Sequence, residues 1–375
     1  MQCREFYRNS RIVVFCLHIN PLVLIDFSPN VRFEYVRNEC RNVSENVGLL
    51  DMTAFAKCRI SGSGAESFLE NLVANHLPKK IGRVNLCHAL NTKGGVHSEF
   101  TITREKNQDF YLVSAGAFQR LDHDWIRRWM PKDGSVQFEN ITNSIGVLVL
   151  AGPKSRELLN RVSKNDYNSE NFPWLTAKNV EIGLAPSLAI RMNFVGELGW
   201  ELHHPIEYQN HIFDNLIAAG QDLGLKPFGI RAMDSLRIEK SYRLVGTELS
   251  IEYAALESGL QRFVHLNKGN FIGRDSLIKW QQKGFSNQFA TLEVHDVTDS
   301  DALGNNPIYS GEKVVGRATG GNYGFRVKKS LMLGMIKPEF SKVGTKLTTD
   351  ILGKKYLATV IEESPYDENN KLLRS

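Results

Sequence analysis

The chain has 375 residues, 42% of them hydrophobic and 23% charged, which is too long for one ordinary core and far from the composition of disordered chains. Its 46 Lys and Arg stand against 41 Asp and Glu, a formal charge of +5 with no long block of one sign, so nothing marks a nucleic-acid-binding surface. Two or three folded, soluble domains are the expectation.

Arg4, Arg8 and Arg11 precede an apolar run, Ile12 to Leu17 and on to Ile25, that His18, Asn20 and Pro21 interrupt. The run falls short of the ~18 apolar residues of a membrane helix. No small-residue cleavage site follows it, so residues 1–32 read as an atypical, ill-ordered remnant rather than a targeting signal. Cysteines stand at 3, 16, 40, 58 and 87, without a CxxC pair or neighbouring histidines. That spacing suits neither a disulfide framework nor a zinc site and fits a reducing compartment, the cytoplasm or, in a eukaryote, the mitochondrial matrix.

From Asn46 the pattern becomes regular. Lys57 to Ile60 is predicted as a strand, Ser61 to Gly64 as a turn, and Ala65 to Val73 as a helix with Phe68, Leu69, Leu72 and Val73 on one side. Gly62 and Gly64 begin a dinucleotide-like fingerprint, but Ser67 replaces its third glycine and no acidic residue follows at ~20 positions, so a tight turn into a helix is the better reading. Asp109 to Ser114 is a predicted strand, Phe118 to Met130 an amphipathic helix carrying Trp125 and Trp129, Val147 to Leu150 a short strand, and Lys154 to Val162 a helix opened by Pro153. Helices lying on antiparallel sheets follow.

Beyond Gly284 helical periodicity stops. Phe289 to Val294, Lys313 to Arg317, Leu331 to Ile336, Lys346 to Ile351 and Lys355 to Ile361 are strand-like runs between glycine or polar turns. The expected class is therefore α+β, with two α+β domains at 33–146 and 147–283 and a β-barrel or sandwich at 284–375.

Three segments carry candidate chemistry. In Asn91 to Ile102 a double glycine, Gly94 and Gly95, opens a strand whose alternation puts His97, Glu99 and Thr101 opposite Val96, Ser98, Phe100 and Ile102. Gly94 and Gly95 would let a ligand approach the backbone, and Glu99 is a candidate general base, although spacing alone also fits a solvated carboxylate. Arg191 to Leu202 reads as strand, glycine turn, strand, with Glu201 opposite Trp200 and Leu202. A carboxylate there can accept two parallel hydrogen bonds from an amino-pyrimidinone edge, or simply lie exposed on a hairpin. In Gly229 to Arg243, Ser235, Glu239 and Tyr242 share a predicted helix face and Glu239 pairs with Arg243 one turn on. Metal-ligand spacing, a nucleophile elbow and a phosphate loop are all absent from the sequence.

These segments, in this order, together with Phe33 to Val43, Val47 to Phe55, Ala151 to Leu159, Leu266 to Leu277, Glu312 to Gly324 and Leu352 to Ile361, resemble the glycine-cleavage T-protein superfamily. The likeness is greatest to its branch fused to dimethylglycine and sarcosine dehydrogenases, and covers all but the first thirty or so residues. The resemblance implies a three-domain cloverleaf with tetrahydrofolate in a central channel, Glu99 beside the reactive folate nitrogens and Glu201 reading the pterin. Around the pterin, the family's aromatic one strand earlier falls on Leu86, its tyrosine before the Gly-Glu turn on Phe194 and an arginine on Met233, while Tyr242 is retained. Glu99 itself stands where many members have aspartate.

In the fused relatives a flavin domain oxidises an N-methyl amine and tetrahydrofolate captures the carbon as 5,10-methylenetetrahydrofolate. No flavin-binding βαβ fingerprint is read in this sequence, and no flavin domain is expected before Phe33. The expectation is a folate-dependent one-carbon transferase whose carbon comes from a flavin-dependent dehydrogenase partner, or a piece of a larger enzyme. Two rivals follow from the same resemblance: a lipoyl-protein aminomethyltransferase, and a non-catalytic folate-binding module of the kind that maintains iron–sulfur enzymes. The latter's KGCYxGQE cysteine is Asn270 here.

Overall fold

Alternation and amphipathic periodicity resolve into three sheets in the computed structural model, which describes residues 29–297 and 300–375. Residues 1–28, where most of the expected N-terminal remnant falls, lie outside the described residues. In chain order the elements are α1 (Pro29–Glu45), β1 (Val47–Asp51), β2 (Ala56–Ser61), α2 (Ala65–Leu72), β3 (Val84–Leu90), β4 (Val96–Lys106), β5 (Asp109–Ser114), α3 (Gln119–Trp129), β6 (Gln137–Asn140) and β7 (Ile145–Ala151). There follow α4 (Ser155–Val162), β8 (Ala177–Ile182), β9 (Ala185–Ile190), β10 (Gly199–Pro205), α5 (Gln209–Gly220), β11 (Leu225–Pro227), α6 (Ile230–Ile238) and α7 (Arg274–Lys283). The last part holds β12 (Gln288–Val294), β13 (Pro307–Ser310), β14 (Lys313–Gly324), β15 (Lys329–Ile336), β16 (Lys346–Ile351), β17 (Lys354–Ile361) and α8 (Lys371–Arg374).

The five-stranded sheet runs β3-β4-β5-β2-β6. One face is apolar and is covered by α2 and α3, where Ile60, Phe100, Ile102, Phe110 and Leu112 meet Leu69, Leu72, Trp125 and Ile126. Removing any one of these large side chains should cost about 2–5 kcal/mol. The other face carries Val84, Tyr111 and Val113, which pack on Ala177 and Ile190 of the neighbouring sheet.

That second sheet has the order β11-β1-β7-β10-β9-β8. Trp200, Leu202, Leu148 and Leu150 point to α4 and α5, in a core with Tyr167 and Phe172, and Val147, Val149 and Leu50 point the other way, toward Val43, Ala232 and Leu236 of α1 and α6. β1 therefore precedes the five-stranded sheet in the chain yet belongs to the six-stranded one, paired with β7 and β11. The last six strands close into a barrel, β12-β15-β14-β13-β16-β17, sealed by β12 against β17.

Three local expectations are corrected. The first arm of the Arg191–Leu202 hairpin stops at Ile190, because Asn193 folds the chain back on itself: its Oδ1 accepts from the Val195 and Gly196 amides and its Nδ2 donates to the Glu197 carbonyl. The third motif leaves its helix at Ile238, with Ser241 at φ 53°, so Glu239 and Arg243 do not pair. Glu239 instead meets Arg326, and Arg243 meets Glu363 at 2.9 Å. The double glycine admits the protein's own chain rather than a ligand: a Cβ on Gly95 would stand 2.6 Å from the Ile251 carbonyl oxygen, and one on Gly94 3.0 Å from Leu277.

Candidate functional site

β4 presents the first candidate carboxylate. Its burial alternates, Val96, Ser98, Phe100 and Ile102 in and His97, Glu99 and Thr101 partly open, as a strand covered on one face requires. Glu99 keeps 22% of its side chain exposed, and its Oε2 lies 2.9 Å from Nε2 of His88. His88 is its register partner on β3, as Leu86 is of Thr101, and residues directly opposite share a face. Leu86, half-buried, thus stands one position along the same face as Glu99. His97 turns away from this group: its ring stacks on Trp125 of α3 at 4.1 Å, and its pKa is lowered by burial and then by Arg128.

Glu201 lies on β10 opposite Val149 and Ile190, on the sheet face turned toward α6 and the five-stranded sheet. It is 6% exposed, and its Oε2 is 3.1 Å from Nε2 of His203, two residues on and on the same side. His203 Nδ1 in turn lies 2.9 Å from the hydroxyl of Tyr111 on β5. Burial holds the phenol's pKa well above the usual value, so its proton is there to donate. His203 then accepts at Nδ1 and donates from Nε2 to Glu201, an order assigned from the network. Tyr111 is register partner to Thr103, four residues from Glu99 on β4 and so about 13 Å along the strand.

Of the remaining expected residues, Met233 borders the Glu201 face. Met233 on α6 is half-buried against the cluster that holds Val149 and Val195. Phe194 and Tyr242 are half-buried ring neighbours, their centroids 5.5 Å apart. Burial pushes the Tyr242 phenol up to about 12, against the nearby Arg326. The loop bearing Phe194 is held from the barrel: Arg326 donates to the Val195 carbonyl at 3.0 Å, to Glu197 at 2.7 Å and to the Leu236 carbonyl at 2.7 Å. Glu197 and Glu239 both have pKa values raised by burial and pulled back by Arg326.

His88, His203, Tyr111 and Arg326 were not singled out in the sequence. A histidine two residues beyond Glu201 shares its strand face on alternation alone, so His203 was within reach of that rule. His88 required the β3–β4 register and Arg326 the barrel's placement, neither of which a local pattern carries. Among the described residues no group of three or more His, Cys, Asp and Glu is arranged to hold a metal ion, and no helix is long and apolar enough to cross a membrane. Chemically, the arrangement offers one buried carboxylate for a ligand with adjacent N–H donors, and a second, partly open one for proton transfer.

A family model described as the GCVT N-terminal domain matches residues 5–268, and one described as the glycine cleavage T-protein C-terminal barrel domain matches residues 287–367. The first begins upstream of Phe33, where the quoted motifs start. Human mitochondrial dimethylglycine dehydrogenase is 36% identical over 333 residues, 88% of this chain, and the chain spans only 38% of that relative's length. An aminomethyltransferase of Thermoanaerobacter sp. (strain X514) is 30% identical over 356 residues, covering 93% of this chain and 95% of the relative. The crystal structure of the glycine cleavage system aminomethyltransferase T from Bartonella henselae superposes with a TM-score of 0.80 at 21% identity, covering 89% of this chain and 90% of that one.

Proposed function

Because the chain belongs to the glycine cleavage T-protein family of folate-binding aminomethyltransferases, we propose that it transfers the one-carbon unit of an N-methyl amine such as dimethylglycine or sarcosine to tetrahydrofolate, giving 5,10-methylenetetrahydrofolate. The observation that carries this reading is the pair of carboxylates, Glu99 and Glu201, each held by a buried histidine on surfaces joined through Tyr111. A flavin-dependent dehydrogenase domain or subunit is the proposed source of the carbon, as an iminium.

The residues present fit a reduced folate. Glu201 is a buried acceptor suited to the amino-pyrimidinone edge, and Phe194, Tyr242, Met233 and Leu86 each keep part of their surface open for a flat ring. Tetrahydrofolate supplies the nitrogens that take up the carbon. Glu99 would take the proton lost by the nitrogen that bonds the iminium carbon and return it to the amine nitrogen, so that the amine leaves as the second folate nitrogen closes on the same carbon and gives up its own proton to solvent. A carboxylate also lowers the energy of the positive charge that develops on the first nitrogen before its proton leaves.

A second reading, transfer from an aminomethyl-lipoyl protein, is favoured by the near full-length match to the Thermoanaerobacter aminomethyltransferase. Leu86, Phe194 and Met233 weigh against it, because the resemblance implies an aromatic, a tyrosine and an arginine at those places around the pterin. Purified protein with tetrahydrofolate should be offered an N-methyl-amine dehydrogenase with dimethylglycine, formaldehyde, and an aminomethyl-lipoyl protein. An enzyme-dependent gain in methylenetetrahydrofolate above the spontaneous rate with the first two supports the proposal; a gain with the lipoyl substrate alone replaces it by the second reading. Folded protein that binds no tetrahydrofolate at millimolar concentration sinks both.

A further inference from the structure

His88 is the only side chain that touches the Glu99 carboxylate among the hydrogen bonds of the described residues, and it is fully buried. Its ring sits edge-on to Phe263, centroids 5.4 Å apart. One ring nitrogen, Nε2, faces Glu99; the other, Nδ1, is buried and has no hydrogen-bond partner among the described residues. This differs from the Glu201 pair, where Tyr111 occupies the second nitrogen of His203.

The empty nitrogen decides where the proton lies. In the Nδ1–H tautomer an N–H would be buried with no acceptor among the described residues, at the full desolvation cost of that donor. The neutral Nε2–H tautomer leaves only a lone pair unpaired and directs its hydrogen at Glu99. That hydrogen bond occupies Oε2 and leaves Oε1 as the carboxylate's free acceptor.

Resting on the function proposed above for Glu99, we propose that His88 is a positioning residue: its Nε2–H fixes the Glu99 carboxylate with one oxygen held and the other turned free for the folate proton. A Glu is one methylene longer than an aspartate, and the extra torsion widens the arc its carboxylate can sweep. His88 removes that freedom from behind, without reaching the substrate itself. Nothing in the Glu201 site depends on it, so the two carboxylates separate by test.

Nitrogen-15 spectra of histidine-labelled protein, with His88 identified by substitution, read the tautomer whether or not the protein is active. A protonated Nε2 and bare Nδ1 are expected; an Nδ1–H tautomer overturns the proposal. Kinetics supply the second measurement, with the parent rate reporting separately on the function of Glu99. His88→Leu should lower the enzyme-dependent kcat by about 10- to 100-fold, the loss of one hydrogen bond to a charged group, with the KM for tetrahydrofolate within about twofold. His88→Gln, which keeps a donor of similar reach and guards against misfolding of the leucine variant, should recover most of that loss. Equal losses in both variants, or a rise in KM that accounts for the whole change in kcat/KM, would show His88 to be mere packing.

Discussion

The hydroxyl of Tyr111 on β5 lies 2.9 Å from Nδ1 of His203 on β10, so a side-chain hydrogen bond crosses from the five-stranded sheet to the six-stranded one and leads, through the imidazole, to Glu201. Substituting Glu201→Gln puts an amide donor where a carboxylate accepted, against the ligand's own N–H groups or against His203. Tetrahydrofolate affinity measured by calorimetry should fall by about 1–3 kcal/mol. Tyr111→Phe acts at one remove and should cost less, about 1 kcal/mol, by freeing His203. Parental affinity in Glu201→Gln would disprove its part in reading the pterin.

Glu99→Gln keeps shape and can still accept from His88, but takes no proton. Folate binding should survive while the enzyme-dependent rate drops about 10²–10⁴-fold. If the variant is as active as the parent, the base lies elsewhere. His97 is then the neighbour to test, although its stacking on Trp125 requires a rotation before it could serve.

Asp122 on α3 is 1% exposed and accepts a hydrogen bond from Ser114 at 2.7 Å. Burial pushes its carboxyl up to about 6 from the usual 3.8, with the charge of Glu99 adding to the rise. A folded pKa above the unfolded one means that the stability this group contributes is complete below 3.8 and is lost as pH climbs through about 6. Asp122→Asn should therefore melt like the parent near pH 4 and be more stable above pH 6, by about 1–3 kcal/mol. A melting-temperature gap that does not widen between those pH values would refute this account of the site.

Arg326 joins barrel, α6 and the Phe194 loop through Glu239, Glu197 and two backbone carbonyls. Deleting it as Arg326→Met leaves two buried carboxylates without their cation, a loss of about 3–5 kcal/mol in denaturant unfolding. Because the loop it holds precedes Glu201, folate affinity should weaken as well. Arg326→Lys, a point charge on a flexible stem, cannot serve four acceptors at once and should recover only part of either quantity. Full recovery would mean that charge alone matters there.

Elements with strong local signals were legible before the fold was known. Asp109–Ser114 and Lys346–Ile351 end where alternation ends, and α2, α3 and α4 begin within a residue or so of their turn signals. The family motifs led to Glu99 and Glu201 because those segments are long and ordered along the chain. What could not be read were relations between distant segments: the His88–Glu99 register, the salt bridge that takes Glu239 away from Arg243, and the Ile251 backbone packed on Gly95. The hairpin at Arg191 failed for a nearer reason. Asn193 offers the backbone a local alternative that a hydrophobicity pattern does not register.

β1 sits between β7 and β11, pairing Gly48 with Ala151 and Val47 with Leu225, while everything from Ala56 to Asn140 builds a different sheet. Lys57 marks where that excursion leaves and returns, its ammonium bound to the Thr53 and Ile145 carbonyls. During synthesis the inserted sheet has all its strands as soon as Asn140 has emerged, whereas β1 waits for partners made much later, the last of them β11. Closing so large a loop is slow compared with forming neighbouring hairpins. Pulse-labelled hydrogen exchange on refolding protein should accordingly find the amides of β2 to β5 protected before those of β1, and the apolar edge of β1 exposed to chaperones in the interval.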